Sequence, residues 1–577
     1  MQVNKIFRSN INFQSAQLNI AATADNHGSI TSIPQLIKTV QENNSDIFEN
    51  SDEKSTMNLF AIAGDYFMYP EKRGLLTKKD KTIGDIQFNY LARMILSVKN
   101  SAAFNAKFDT VFTPGNHDLE AGDKWLYRKL SNTRITTVMT NVNLKKSPVV
   151  KQAMKKNPNM VTSKIYEIPD DKNPEIINKV LVLGATIPRE KFNSKRMSGT
   201  VFYDLLDKSD SEVEKEDFTK TYSVLKYIVK DFKEKNPDGT VILLSHLGNK
   251  ISSAIAEEIP DINLILNAHD HKKSDIYVNN TLISSLGDNN KFIKSFKLKF
   301  DDFGKLEDIN FKKYDTKDYK QEALQDKALT DFVRKNIGED IKPIIDLKGF
   351  EEYSDELVFD KAIRHSDKIF VNYTTTAIKE ALRIKYKKLD AVGIPSEMFR
   401  GGIMQPGSDV FTNLDLIKLF GGANEELSNI RKGSVTGEEL VYLITQNVLN
   451  NIDSPKQNGI IHWSDIKVNR TLMEKINNYE IDKPYKEAIE VRNPLTGVYE
   501  PVRMNKFYTI VLPDKYINKN LSGFVFHDDI SLRFMTINDN FGSLFRQYLS
   551  LNDNKFELTP EVTEKELYKI DFYDLSL

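Results

Sequence analysis

Through the first half of the chain, short and almost wholly apolar runs alternate with amphipathic stretches, and many of the runs end in polar side chains able to hold a metal or a proton. Leu18 to Ala24 (LNIAATA) reads as a buried strand that stops at Asp25-Asn26-His27-Gly28, and Ile33 to Gln41 has helical spacing. Asn58 to Ala63 is a second apolar run, ending in Gly64-Asp65. Ile83 to Phe104 carries apolar residues at helical intervals and leads into Asp109 to Thr113, a β-type run that stops at Pro114-Gly115-Asn116-His117-Asp118. Val180 to Ala185 predicts another strand, the charged tract from Arg189 to Lys220 an excursion over the surface, and Phe218 to Lys235 a helix. Val241 to Leu244 ends in Ser245-His246-Leu247-Gly248, and Ile262 to Leu266 in Asn267-Ala268-His269-Asp270-His271. Short apolar runs bounded by turn residues are expected of strands covered on both faces. Strand and helix in alternation predict an α/β fold.

Farther along, Ile293 to Lys313 alternates as a hairpin around Asp302-Phe303-Gly304, and Tyr319 to Asn336 predicts a polar helix joining two domains, with a boundary near Ile337. Helices are expected at Ile369 to Lys385 and Gly437 to Leu449, a Gly-rich loop at Phe399 to Pro406 and a strand at Phe507 to Leu512. With 577 residues the chain exceeds one ordinary domain. The expected organisation is one domain over residues 15–316, a linker helix over 317–336 and a second domain over 337–577.

Composition narrows the chemistry. Lys and Arg number 80 against 81 Asp and Glu, a net charge of -1. No bulk field therefore draws macromolecular nucleic acid or an anionic membrane, and any phosphate binding has to be local. The chain has no cysteine, so a metal must sit on nitrogen and oxygen. Met1 to Asn19 lacks the apolar core of a signal peptide, and no later run has the length of a membrane span. The expectation is a cytoplasmic protein as written, or a periplasmic or secreted one if the sequence is a mature form.

Five strand ends thus carry Asp25, His27, Asp65, Asn116, His246, His269 and His271, donors enough for two divalent ions such as manganese, zinc, iron or cobalt. Singly, each histidine has a plainer explanation: His27 could cap the next helix, His246 could be a satisfied imidazole, and His269 with His271 could extend a strand. Jointly they follow apolar runs too regularly, whereas His365, His462 and His527 do not and default to structural or surface roles. Sites in open α/β sheets form at the carboxyl ends of strands, so these ends can converge. Asp65, central in the order of ligands, is the natural bridge. Two ions about 3.5–4 Å apart can hold a hydroxide between them, bind two phosphate oxygens and neutralise charge during in-line attack. That chemistry suits hydrolysis of phosphate esters.

These motifs resemble the calcineurin-like metallophosphoesterase superfamily, and the order of later motifs resembles its 5'-nucleotidase branch, which includes UDP-sugar hydrolases and 2',3'-cyclic phosphodiesterases. The resemblance implies an N-terminal four-layer α/β/β/α sandwich and a second α/β domain like the C-terminal domain of 5'-nucleotidases. It implies Asp25, His27, Asp65 and His271 around one metal, and Asp65, Asn116, His246 and His269 around the other. His117 would be the catalytic imidazole that binds no metal, oriented by Glu120, with Asp118 as a nearer candidate. In the second domain the family's loop arginine is replaced by Met404, and Arg400 in the same loop is the candidate replacement. Phe420 and Tyr516 take the places of base-stacking residues, Asn424 lies just beyond the first, and Asn520-Leu521-Ser522-Gly523-Phe524 lacks the family's acidic residue. The expected function is hydrolysis of a small-molecule phosphate ester, a nucleotide or a relative of one. The alternative is a metal-containing binding protein with a diverged second domain and little nucleotidase activity.

Overall fold

A computed structural model describes residues 16–48, 55–67, 83–102, 107–119, 122–170, 173–188, 199–206, 213–338, 343–346, 369–398, 410–412, 416, 420, 430–452, 460–493, 496–514, 516–517 and 533–551. They fall into two compact units that divide between Asn336 and Ile337.

The first unit contains strands β1 (Gln17–Thr23), β2 (Thr56–Ile62), β3 (Lys107–Phe112), β4 (Thr136–Val138), β5 (Met160–Val161), β6 (Ser163–Pro169), β7 (Ile177–Thr186), β8 (Thr240–His246), β9 (Leu264–Asn267), β10 (Asp275–Val278), β11 (Thr281–Ser285), β12 (Phe292–Phe300) and β13 (Leu306–Asp315). They form two sheets, in the orders β13-β12-β1-β2-β3-β4-β5 and β10-β11-β9-β8-β7-β6. The run β1 to β5 is parallel and is flanked by antiparallel β12 and β13. In the second sheet β7, β8, β9 and β11 are parallel, with antiparallel β6 and β10 at the edges.

Side chains alternate across each strand, and both sets are apolar. Leu18, Ile20, Ala22, Leu59 and Ala61 of the first sheet share one core with Val180, Val182, Ile242, Leu244, Leu264 and Leu266 of the second. The opposite set, Leu181, Leu183, Val241, Leu243 and Ile265, packs with Leu225, Val229, Phe232, Ile251 and Ile255. These last belong to helices Thr219–Lys235 and Gly248–Glu258. On the other face of the first sheet lie helices Ile33–Glu42, which buries Ile33, Leu36, Ile37 and Val40, and Ile83–Ser101. The result is an α/β/β/α sandwich. Lys294 of β12, almost fully buried, crosses between the sheets to Asp275 at 2.5 Å and Ser284 at 3.0 Å.

Two expectations change. The single helix expected from Tyr319 to Asn336 is two, Lys320–Gln325 and Lys327–Ile337. Asp326 takes an extended conformation between them and caps the second, accepting from the Leu329 amide at 3.0 Å. Nor is this segment a free connector. Phe332 packs edge-on against Tyr90 with ring centroids 4.9 Å apart, so the helix is part of the first unit.

In the second unit the described strands include a five-stranded sheet ordered Ile461–Trp463, Ala391–Pro395, Phe507–Pro513, Ile430–Thr436, Phe534–Ile537. Helices Ile369–Lys385, Gly437–Ile452 and Phe541–Leu551 accompany it, so this unit is also α/β.

The shared core of the sandwich gives a direct test. Leu244 is 1% exposed and lies two residues before His246. Leu244→Ala is expected to remove about 2–5 kcal/mol from the unfolding free energy of the first unit, read by urea titration, because truncation leaves a cavity that packed sheets cannot close.

Candidate metal centre

β1, β2 and β3 of one sheet and β8 and β9 of the other deliver their carboxyl ends to one place. The loop after β1 runs alongside the loop after β2: the amides of Asp25, His27 and Gly28 donate to the carbonyls of Gly64, Asp65 and Tyr66 at 3.0, 2.9 and 3.1 Å. The sheets are joined here as well. His246, the last residue of β8, has Nδ1 2.8 Å from the Ala63 carbonyl, and the His269 amide donates to Asp25 Oδ2 at 3.0 Å. A carbonyl at Nδ1 requires the proton on that nitrogen, which leaves the Nε2 lone pair for a cation.

Around His246 Nε2 lie Asp65 Oδ2 at 3.1 Å, Asn116 Oδ1 at 3.2 Å and Asp25 Oδ1 at 4.0 Å. Asp65 Oδ2 is also 3.4 Å from His27 Nε2, while Asp65 Oδ1 accepts from the His117 amide at 2.7 Å. His271 Nε2 stands 3.7 Å from Asp25 Oδ1. Donor atoms of Asp25, His27 and His271 lie within 4.8 Å of one another, and so do those of Asp65, His246 and His269. Asp65 reaches toward both sets. A third grouping, His27, Asp65 and His117, meets the same distance criterion. The His117 ring stands edge-on to that of His27, with centroids 5.1 Å apart.

The donors fit divalent cations. Asp25 Oδ1 is buried and accepts no hydrogen bond, a costly state for a carboxylate oxygen unless a cation faces it. The backbone is equally specialised. Asp25, His27, Asp65, His269 and His271 have φ between 46° and 89°, five of the ten non-glycine residues with positive φ among the described residues. Each such residue costs about 1–3 kcal/mol, strain that concentrates at functional sites. Two glycines make the close approach possible. A Cβ at Gly64, itself at φ 87°, would strike the His246 ring, and one at Gly115 would strike the Asp65 carboxylate.

Burial dominates the electrostatics. It raises Asp25, against the attraction of His246, up to about 8. For Asp65 burial acts the same way but is outweighed by His246 and His117, which hold its carboxyl well below the usual range. Burial alone would lower His246, yet Asp65 and then Asp25 more than offset this and raise it to about 10.

Asp118 anchors two of the loops. It is fully buried, Oδ1 accepts from the Phe67 amide and Oδ2 from the Gly115 amide, both at 2.7 Å. It braces the loop of Asp65 against the loop of Asn116. Burial, then the Asp65 charge, raise it to about 7 against those two amides. Glu120, Arg400, Met404, Asn424 and residues 520–524 lie outside the described residues. Phe420 and Tyr516 are each 4% exposed in the core of the second unit, with Phe420 edge-on to Phe545.

Sequence reasoning passed over one loop. Leu282 to Leu286 is another apolar run ending in Gly287-Asp288-Asn289-Asn290, and the Asn289 amide donates to the Asp25 carbonyl at 2.8 Å. Like the other five it is a strand with polar side chains at its end, but Ser284 and Ser285 interrupt its apolar pattern.

Residues 18–273 match the family described as calcineurin-like phosphoesterase. This segment belongs to that family. No curated protein matches the chain in sequence. Among solved structures, the chain is similar to a 5'-nucleotidase precursor from Thermus thermophilus, at 14% identity and a TM-score of 0.57, covering 94% of this chain and 97% of that one. It is also similar to the sulfate thiohydrolase SoxB of Thermus thermophilus, at 13% identity and a TM-score of 0.53, covering 94% and 96%. At these identities the likeness is one of fold, and it covers residues of both units. Among the described residues no helix is long and apolar enough to cross a membrane.

The raised Asp25 and His246 make metal uptake a proton exchange, since both must be deprotonated to bind a cation. Below about pH 8 Asp25 holds a proton that a metal has to displace, so affinity falls as pH falls. The Kd for Mn2+ is expected to be about tenfold or more weaker at pH 6 than at pH 8, with proton release seen as a dependence of the binding enthalpy on buffer. An affinity independent of pH would contradict these protonation states.

Proposed function

We propose that the chain is a dinuclear-metal phosphoesterase, and the observation that carries this reading is the position of Asp65 within reach of both donor sets. Asp25, His27, Asp65 and His271 would hold one divalent ion, and Asp65, Asn116, His246 and His269 the other. Bound there, the ions supply Lewis acidity toward phosphate oxygens and a nucleophile at neutral pH.

The residues of the chain do the rest. Asp65 fixes the separation of the two positions. His246 is oriented by the Ala63 carbonyl and presents Nε2. His117 binds no metal in this reading. His27 and Asp65, its neighbours in the third grouping, already belong to the two ligand sets, and His117 is only half-buried. As a water-derived oxygen bonds to phosphorus and the P–O ester bond breaks, His117 gives its ring proton to the leaving oxygen, which departs as an alcohol and leaves the phosphate behind. Asp118 positions His117 indirectly, through the turn it braces.

The substrate is proposed to be a nucleotide or a related small phosphate ester, in keeping with the Thermus thermophilus 5'-nucleotidase precursor. SoxB, a sulfate thiohydrolase, has a similar fold, so fold alone does not choose the substrate. Arg400 is proposed to make the charged contact that the family assigns to the position of Met404, and Asn424 to add a polar contact to the substrate.

His117→Asn separates proton donation from metal binding. Turnover of nucleoside monophosphates, whose alkoxide leaving group needs a proton, is expected to drop by about 10²-fold to 10⁴-fold and that of p-nitrophenyl phosphate much less, while elemental analysis finds the metal content of the unaltered chain. Loss of metal in this variant would make His117 a ligand instead.

A further inference from the structure

The turn that carries Asp25 and His27 is held in its left-handed conformation from outside, by a loop more than half the first unit away in sequence. We propose that Asn290 is the positioning residue for the ion of Asp25, His27 and His271, clasping the 25–32 segment so that both ligands aim at one point. The inference rests on the reading that this donor set holds an ion.

Asn290 is 1% exposed, and its whole side-chain amide is engaged with that segment. Oδ1 accepts from Asn26 Nδ2, the residue between the two ligands, and Nδ2 donates to the Ser29 carbonyl at 3.2 Å and to Ser32 Oγ at 3.0 Å. Its neighbour adds three bonds: the Asn289 amide donates to the Asp25 carbonyl at 2.8 Å, Asn289 Oδ1 accepts from Ser29 Oγ at 2.8 Å, and the Asn289 carbonyl accepts from Ser32 Oγ at 3.3 Å. The clasp is itself anchored, because Thr316 Oγ1 donates to the Asn290 carbonyl at 2.5 Å.

Four residues of this contact share the unusual backbone. Asp25, His27, Asn289 and Asn290 have φ of 48°, 46°, 53° and 56°. Asn tolerates the left-handed region better than most side chains, but Asp and His in that region persist only where surrounding bonds hold them. A side chain bonded to the one residue between two ligands governs their spacing as an outer hydrogen-bond partner governs a metal ligand. The bonds of the Asn290 side chain all run to the 25–32 segment, so its loss should be felt at one ion and not at the other.

The test is isothermal titration of the metal-free full chain with Mn2+. Asn290→Gly keeps the left-handed backbone without steric cost and removes the clasp. One ion is expected to bind as in the unaltered chain and the other about 10-fold to 100-fold more weakly. Asn290→Asp, which keeps the acceptor for Asn26 but loses the donor to Ser29 and Ser32, is expected to recover only part of the loss. If Asn290→Gly does not fold, Asn26→Ala deletes the same bond from the other side and should weaken the same single ion. Two ions of unchanged affinity in these variants, or equal losses at both positions, would overturn the inference. An unaltered chain that takes up no Mn2+ would instead refute the proposed function, and the inference with it.

Discussion

A buried carboxylate shared among imidazoles is the constraint on which the site depends. Asp65 is 1% exposed, yet it lies within 3.1 Å of His246 Nε2 and 3.4 Å of His27 Nε2 and takes the His117 amide on its other oxygen. Removing a charge from water is expensive unless opposite charge and hydrogen bonds replace the lost solvent. Much of the surrounding sequence serves that replacement. Gly64 and Gly115 are small so that His246 and Asp65 can come close, and Asp118 ties their loops together through two amides.

The sandwich is what allows such a site to persist. Five donors adopt backbone conformations that cost free energy, and the loops bearing them are continuations of strands packed on both faces. Strain at a strand end is sustained when the strand cannot move. Because β8 and β9 belong to a different sheet from β1, β2 and β3, the centre forms only when the two sheets dock in one register. The contacts from His246 to Ala63 and from His269 to Asp25 span that junction, so metal binding and sheet packing should reinforce each other.

Much of this was legible because it is written in local pattern. Apolar runs such as Leu59 to Ile62 and Leu243 to Leu244 lie in strands covered on both sides, and a donor after each run is visible without knowing the partner strand. What is not local was lost. β4 and β5 have three and two residues and no readable period. The pairing of β1 with both β2 and β12 joins segments far apart in sequence, and nothing in LNIAATA announces either neighbour. Asp326 looks like a helix residue until its carboxylate is seen to cap the next helix. Asp118, adjacent to His117, invites a catalytic reading, and its bonds to the Phe67 and Gly115 amides are visible only in the fold. Asn290 acts through bonds to residues more than 250 positions away and carries no metal-ligand signature of its own.

The central claim is that two ions sit side by side across Asp65. Anomalous diffraction from crystals of the full chain grown with Mn2+ tests it most directly. Two peaks about 3.5–4 Å apart are expected, as in other two-metal sites, with the Asp65 carboxylate between them, Asp25, His27 and His271 around one, and Asn116, His246 and His269 around the other. A single peak, or none within reach of Asp65, would contradict it.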